Sequence, residues 1–339
     1  MTARFAPQPA SPHPAALPAP FSLISPERLW EIYAAMLRCR AIAERAAELV
    51  RAGIPAHSLQ AALGCEAAYA AVLVGLHSAD VLSSAAEDTV AGFLHGLPLK
   101  ALFAALAPPL APPAHTRPKK AELAPQPSPQ PTPPLAKLAG LLPLAPSPAA
   151  QLHLANGAAF ALKPQANKPL VVALCGSGAA PDEAWQQALD FAGAHTLPIL
   201  FLCLSQASDA AALAEANAHF DQLFTLAGSA RVPTIVVDAQ DAVAVYRVAS
   251  ESISRARLRR GPTLIACFAH PTQHVPGYYQ SGRKSSPGQT AGDHTDSGDG
   301  LRAMEAYLGR KAFFDPARKA QILDAFARQL DRATRGLPR

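Results

Sequence analysis

Apolar positions recur at helical spacing from residue 26 onward. Leu29, Ile32, Tyr33, Met36 and Leu37 follow one another at intervals of one, three or four, which puts them on one face of a helix. Ser25 precedes the run as an N-cap, and Pro26 fits the first helical position, where its missing N–H costs no bond. Gly53 is the expected stop. Further helical text is predicted over 65–76, 88–106 and 149–163.

The pattern then changes. "PLVVALC", "LPILFLCL", "PTIVVDA" and "GPTLIACFA" are short, continuously apolar runs, the signature of strands buried on both faces. A helix is expected from about 181 to 195, and Val245, Val248, Ala249, Ile253 and Ala256 mark the inner face of another. Buried strands alternating with helices define an α/β class, a parallel sheet covered by helices on both faces. Ligands of such sheets bind at the carboxyl ends of the strands. Residues 175–179, 204–206 and 270–274 are therefore placed along one edge.

Composition divides the chain further. Its 34 prolines crowd into the first 26 residues and into 107–148. A Pro-rich segment supplies few backbone donors and favours extended conformations. Residues 1–25 are accordingly read as a disordered tail, and 107–148 as a Pro-rich loop interrupting one folded domain at 26–335. Residues 277–298, rich in Gly, Ser and Asp, are predicted to form a mobile loop before a charged, amphipathic helical segment over 299–335. Arg255, Arg257, Arg259 and Arg260 are the densest basic cluster, and they suit a helix C-terminus better than a nucleic-acid surface. No run reaches the roughly 18 to 20 apolar residues of a membrane helix. The N-terminus lacks the apolar core of a secretory signal. Five widely spaced cysteines without a CxxC read as buried free thiols, which suits the cytoplasm.

The candidate chemistry lies where "VALC" meets "GSGA". Glycines after a strand let a phosphate approach the backbone, and the next helix offers free N–H groups to it. An ordinary tight turn would read the same way. The turn has neither the GxGxxG of a dinucleotide site nor the Lys-Ser/Thr of a P-loop.

The order of features along the chain adds to this. "RLWEIYAAMLRCRAIAERAAELVRAGI", "GCEA" at 64–67, "AQLHLANGAAFALK" at 150–163, "VALCGSGAAPDEAWQQALDFAGAHTLPILFLCLSQ" and the unit ending in "GPTLIACFAHPTQH" stand in sequence. Together they resemble the α subunits of thiamine-diphosphate-dependent 2-oxo-acid dehydrogenases of the pyruvate, branched-chain or acetoin type. The likeness covers about 25–106 and 149–335, and "DGLRAMEAYL" fits that family's tail.

The resemblance implies the thiamine-diphosphate-binding fold, with thiamine diphosphate and Mg²⁺ held at the turn. It also implies a β-type partner in a heterodimer or heterotetramer, and a lipoyl-bearing acyltransferase that receives the acyl group. In such enzymes the cofactor supplies the chemistry of 2-oxo-acid decarboxylation, and the protein binds and orients it. The resemblance places Gly176, Ser177, Gly178, Ala179, Gln206 and Glu66 at the cofactor. It places Ser177 and Gln206 at the metal, and His274 at proton transfer.

Several of these positions depart from the family's residues. Ser177 stands where the family has a metal-binding aspartate, and Ser205-Gln206 replaces Asn-Asn. Ala86-Glu87 replaces the Tyr-Arg pair that reaches the phosphates, and Thr89 replaces a histidine. His270 replaces an arginine near His274, and the Pro-rich tract (with His115) replaces a Gly-rich loop bearing Met-His. Magnesium sites normally draw on one or two carboxylates besides phosphate oxygens. Asp182 and Glu183 follow the turn, but acids there also serve the helix dipole. Two main readings result. One is a structural or regulatory pseudo-subunit with a weakened or lost cofactor site. The other is a working 2-oxo-acid or acetoin dehydrogenase subunit. A third, more distant one is an α/β protein that takes an unrelated ligand.

Overall fold

The computed structural model describes residues 24–52, 64–84, 89–106, 140–176, 182–206, 210–269 and 299–335. Nearly all of the expected tail, most of the Pro-rich loop and all of the loop at 277–298 lie outside these residues.

α1 (Pro26–Arg51) starts as the sequence predicts. Ser25 Oγ accepts from the Arg28 amide at 3.2 Å, Pro26 opens the helix, and Leu29, Ile32, Tyr33, Met36 and Leu37 are all buried. α2 (Glu66–Leu73) follows, and the chain then enters β1 (Val81–Ser83). Three residues between helices leave too little pattern to identify as a strand, so the sequence reading does not name it.

Residues 88–106, read as one helix, form two: α3 (Thr89–Leu94) and α4 (Leu99–Leu106). Gly96 takes φ +112°, outside the helical region, and Pro98 lacks the N–H to continue, so the chain turns between them. The final part of the tract read as loop is held in place. Leu82 donates to Gly140 O at 2.7 Å and Leu142 donates to Leu82 O at 2.9 Å, extending the sheet edge beside β1.

α5 (Pro148–Leu162), β2 (Val171–Gly176), α6 (Asp182–Ala194), β3 (Ile199–Gln206), α7 (Ala210–Ser229), β4 (Thr234–Asp238), α8 (Ala242–Arg257) and β5 (Thr263–Ala269) alternate as expected. The closing segment is α9 (Gly300–Arg310) and α10 (Pro316–Thr334), separated where Asp315 caps α10 by accepting from Ala317 and Arg318.

The five strands are parallel, in the order β1-β2-β3-β5-β4. Alternate residues of each central strand enter separate cores. Val171, Ala173, Ile199, Phe201, Cys203, Leu264 and Ala266 pack under α5, α6 and α7. Val172, Leu174, Leu200, Leu202, Leu204, Ile265 and Cys267 pack under α2 and α8. A third cluster joins α1 to α9 and α10 through Trp30, Tyr33, Met36, Leu301, Met304 and Leu308. Among the described residues no helix is long and apolar enough to cross a membrane.

The basic cluster falls at the end of α8. Arg257 pairs with the fully buried Asp80 at 2.6 Å. Asp80 also accepts from the amides of His77 and Leu170, so it locks the approach to β1 against β2.

Close packing on the α6 face gives a stability prediction. A Cβ on Gly193 would press into the carbonyl oxygen of Ala230. Helix propensity alone would make Gly193→Ala stabilising by about 1 kcal/mol. The backbone clash reverses the sign: overpacking costs about 1–3 kcal/mol. Urea unfolding should show a lower midpoint for the variant than for the parent chain.

Candidate functional site

The parallel arrangement brings every strand's carboxyl end to one edge. β3 leaves that edge through α7, on the face shared with α5 and α6. β5 leads, through residues outside the described set, to α9, which packs with α1, α2 and α8 on the opposite face. In such sheets neighbouring strands that connect to opposite faces mark the usual ligand crevice, which makes the β3–β5 junction the candidate position here. Gln206 ends β3 directly beside Ala269 of β5, and Gly176 ends β2 beside Leu204. Residues 175–176 and 204–206 thus line one edge, as the sequence reading expects, while 177–179 and 270–274 of that expectation lie outside the described residues.

The proposed contact residues are placed unevenly. Gly176 is described and exposed at its strand's end. Ser177, Gly178 and Ala179 lie outside the described residues, as do Ala86, Glu87, His115, His270 and His274. Gln206 is placed by its backbone only. α6 begins at Asp182 just beyond the turn, so the positive end of its dipole faces the edge. Asp182 is engaged there by Gln222 Nε2 of α7, and Glu183 by Gln187 at 3.4 Å. Both acids lie in the first turn of α6. Among the described residues no group of three His, Cys, Asp or Glu is arranged to hold a metal ion.

Glu66 has the most fully determined surroundings. It is buried at the start of α2, where one carboxylate oxygen accepts from Arg40 Nε at 2.6 Å and the other from the Gly64 amide at 2.9 Å. Arg40 also reaches Asp299 at 3.1 Å, and Asp299 caps α9 by accepting from Leu301. Gln240, just after β4, donates to Gly64 O at 2.7 Å and accepts from the Gly300 amide at 2.8 Å. Gly64 is held at φ +83°, a region that favours glycine. A Cβ on Gly300 would crowd the Gln240 side chain and displace the oxygen that accepts from the Gly300 amide.

Burial pulls the Arg40 pKa down, but the Glu66 and Asp299 carboxylates more than offset it, so the guanidinium stays charged. The knot joins α1, α2, α9 and the β4–α8 turn beside the candidate edge. Sequence reasoning missed Arg40, Asp299 and Gln240. Two signals were available: Arg40 continues the Tyr33, Met36, Leu37 stripe as a charge on an apolar face, and Asp299 precedes Gly300-Leu301 as an N-cap would.

With this geometry in view, comparison with known proteins gives a consistent result. The dehydrogenase E1 component family matches residues 33–274, and the chain belongs to that family. It is 28% identical over 156 residues to the α subunit of acetoin:2,6-dichlorophenolindophenol oxidoreductase from Bacillus subtilis, covering 46% of each chain. It is 29% identical over 121 residues to the pyruvate dehydrogenase E1 component α subunit of Staphylococcus aureus, covering 36% of this chain and 33% of that one. The corresponding acetoin subunit of Cupriavidus necator is 29% identical over 111 residues, a third of each chain. The matched part therefore spans less than half the length of these relatives.

The Arg40 knot can be tested through stability. Arg40→Met removes the guanidinium and leaves the Glu66 and Asp299 carboxylates facing each other in a buried position. Removing one partner of a buried ion pair costs about 3–5 kcal/mol. Chemical denaturation should register that loss, whereas removing the exposed Arg45–Asp331 pair should change stability by less than about 1 kcal/mol.

Proposed function

We propose that this chain is an α-type subunit of a 2-oxo-acid dehydrogenase assembly whose thiamine diphosphate and Mg²⁺ site is weakened or lost. In this reading its role is structural or regulatory, and it pairs with a β-type subunit. Family membership and the α-subunit names of its relatives support the placement in such an assembly.

The donor set at the cofactor position carries the functional part of the reading. Where the family's pattern has a carboxylate for the metal, this chain has the neutral hydroxyl of Ser177, and Gln206 brings a neutral amide on a longer arm than asparagine. Mg²⁺ demands near-octahedral oxygen geometry at about 2.1 Å and normally keeps one or two carboxylates. These residues do not fit that requirement.

Glu87 acts in the same direction. Exchanging an arginine for a glutamate beside a diphosphate changes the local charge by two units. Each unit at about 4 Å is worth roughly 4 kcal/mol at an effective dielectric of 20. A difference of that order lowers affinity by several powers of ten.

A working subunit that decarboxylates a 2-oxo acid or cleaves acetoin is the competing reading. It is favoured by the retained glycines Gly176 and Gly178 and by the oxygen donors that Ser177 and Gln206 still offer. In that case Gly176, Ser177, Gly178, Ala179 and Gln206 would meet the diphosphate and metal. His274 would move the proton, and a lipoyl-bearing acyltransferase would take the product.

Calorimetric titration with thiamine diphosphate and Mg²⁺, with and without a co-expressed β-type subunit, separates the two. The expected result is no Mg²⁺-dependent heat at micromolar cofactor in either sample. Micromolar, Mg²⁺-dependent binding would overturn the pseudo-subunit reading in favour of the enzyme.

A further inference from the structure

Three of the five cysteines sit at the carboxyl half of the three central strands, and strand register sorts them into unlike environments. Cys175 of β2 is directly opposite Cys203 of β3. Both belong to the core beneath α5, α6 and α7, Cys203 fully buried and Cys175 half-buried at the open end of its strand. Cys267 of β5 is opposite Leu204 and enters the other core, close to Cys65. Cys65 and Cys267 are both buried.

Neighbouring strands lie about 4.7–4.9 Å apart, and disulfides join Cα atoms about 4.4–6.8 Å apart. In-register cysteines that share a face therefore fall within bonding range. Cys175 and Cys203 share the α5, α6 and α7 face of the sheet as well as their register, so their side chains are neighbours. Cys175 also makes a weak contact to the Ala173 carbonyl at 3.7 Å.

We infer that Cys175 and Cys203 form an oxidisable dithiol, a modification site for hydroperoxides at the mouth of the sheet. Cys175 is the sulfur an oxidant can reach. Its thiolate attacks the peroxide, the O–O bond breaks, and Cys175 becomes a sulfenic acid as the first water (or alcohol) leaves. The Cys203 sulfur then attacks the Cys175 sulfur. An S–S bond forms, the S–O bond breaks, and the departing hydroxide leaves as water with the proton Cys203 gives up. Two thiols are oxidised to one disulfide while one peroxide is reduced.

Burial pushes the Cys203 thiol pKa up, and the neighbouring Cys175 acts in the same direction. That fits the resolving partner rather than the first to react. The bond would clamp β2 to β3 one residue before Gly176, and so would tie the redox state of the pair to the geometry of the turn that follows.

The test is a hydrogen peroxide titration of the reduced full-length chain, quenched by alkylation in denaturant and mapped by mass spectrometry without reductant. Two of the five alkylatable thiols should be lost, with a Cys175–Cys203 cross-link that dithiothreitol reverses. Cys175→Ser should abolish the loss at Cys203, with circular dichroism confirming that the variant is folded. Cys203→Ala should stop at a dimedone-trappable sulfenic acid on Cys175. If that core variant does not fold, a time course on the parent chain reads the same intermediate, with dimedone labelling of Cys175 rising before the cross-link. Retention of all five thiols, or a cross-link between any other pair, would overturn the inference.

Discussion

Everything in this molecule depends on covering a parallel sheet on both faces. A parallel ladder cannot be closed by tight hairpins, and its crossover connections must lie over one face or the other. Here α5, α6 and α7 cover one side and α2 and α8 the other, so successive residues of β2, β3 and β5 enter two separate cores. β4, at the sheet edge, is the exception, with Val236 left 57% exposed. The same constraint gathers all the strand ends at one edge and sends the exits of β3 and β5 in opposite directions. The candidate crevice is a consequence of covering the sheet.

The helices on the α2 and α8 side are locked at both ends of that sheet by buried charge. At the amino end Asp80 holds Arg257 and two backbone amides. At the carboxyl end Arg40 holds Glu66 and Asp299, with Gln240 closing the knot. Charges withdrawn from water are tolerated only when paired and hydrogen-bonded, and each member here has its partners. Such pairs add little net stability compared with apolar packing. They penalise any other arrangement of the same helices heavily, because a slipped helix would strand a charge. Both oxygens of Glu66 are taken up in this way, which ties the "GCEA" element at 64–67 to the framework beside the edge.

The α/β framework of the family runs from α1 to β5, and α6, after β2, turns its N-terminus toward the edge. Under the proposed function, the polar residues that the resemblance places at the cofactor are the ones that differ from the family's pattern. In that reading Ser177 removes negative charge at the metal and Glu87 adds it near the phosphates, while Gln206 exchanges one neutral amide for a longer one.

The sequence alone determined the class of fold, since continuous apolar strands alternating with amphipathic helices admit few arrangements other than a doubly covered parallel sheet. It also located the N-cap at Ser25, the inner faces of α1 and α8, and the edge at 175–176 and 204–206. It did not reveal β1, whose three residues are too short to carry a period, or the breaks within 88–106 and 299–335. Those breaks rest on single residues, Gly96, Pro98 and Asp315, which leave the helical periodicity on either side intact. Only the tertiary structure decided which charges meet. Arg40 and Asp299 are 259 residues apart, and Arg257 and Asp80 are 177 apart. The pairing of Cys175 with Cys203 came from strand register. Spacing along a chain encodes local periodicity, whereas partners across a sheet are chosen by packing.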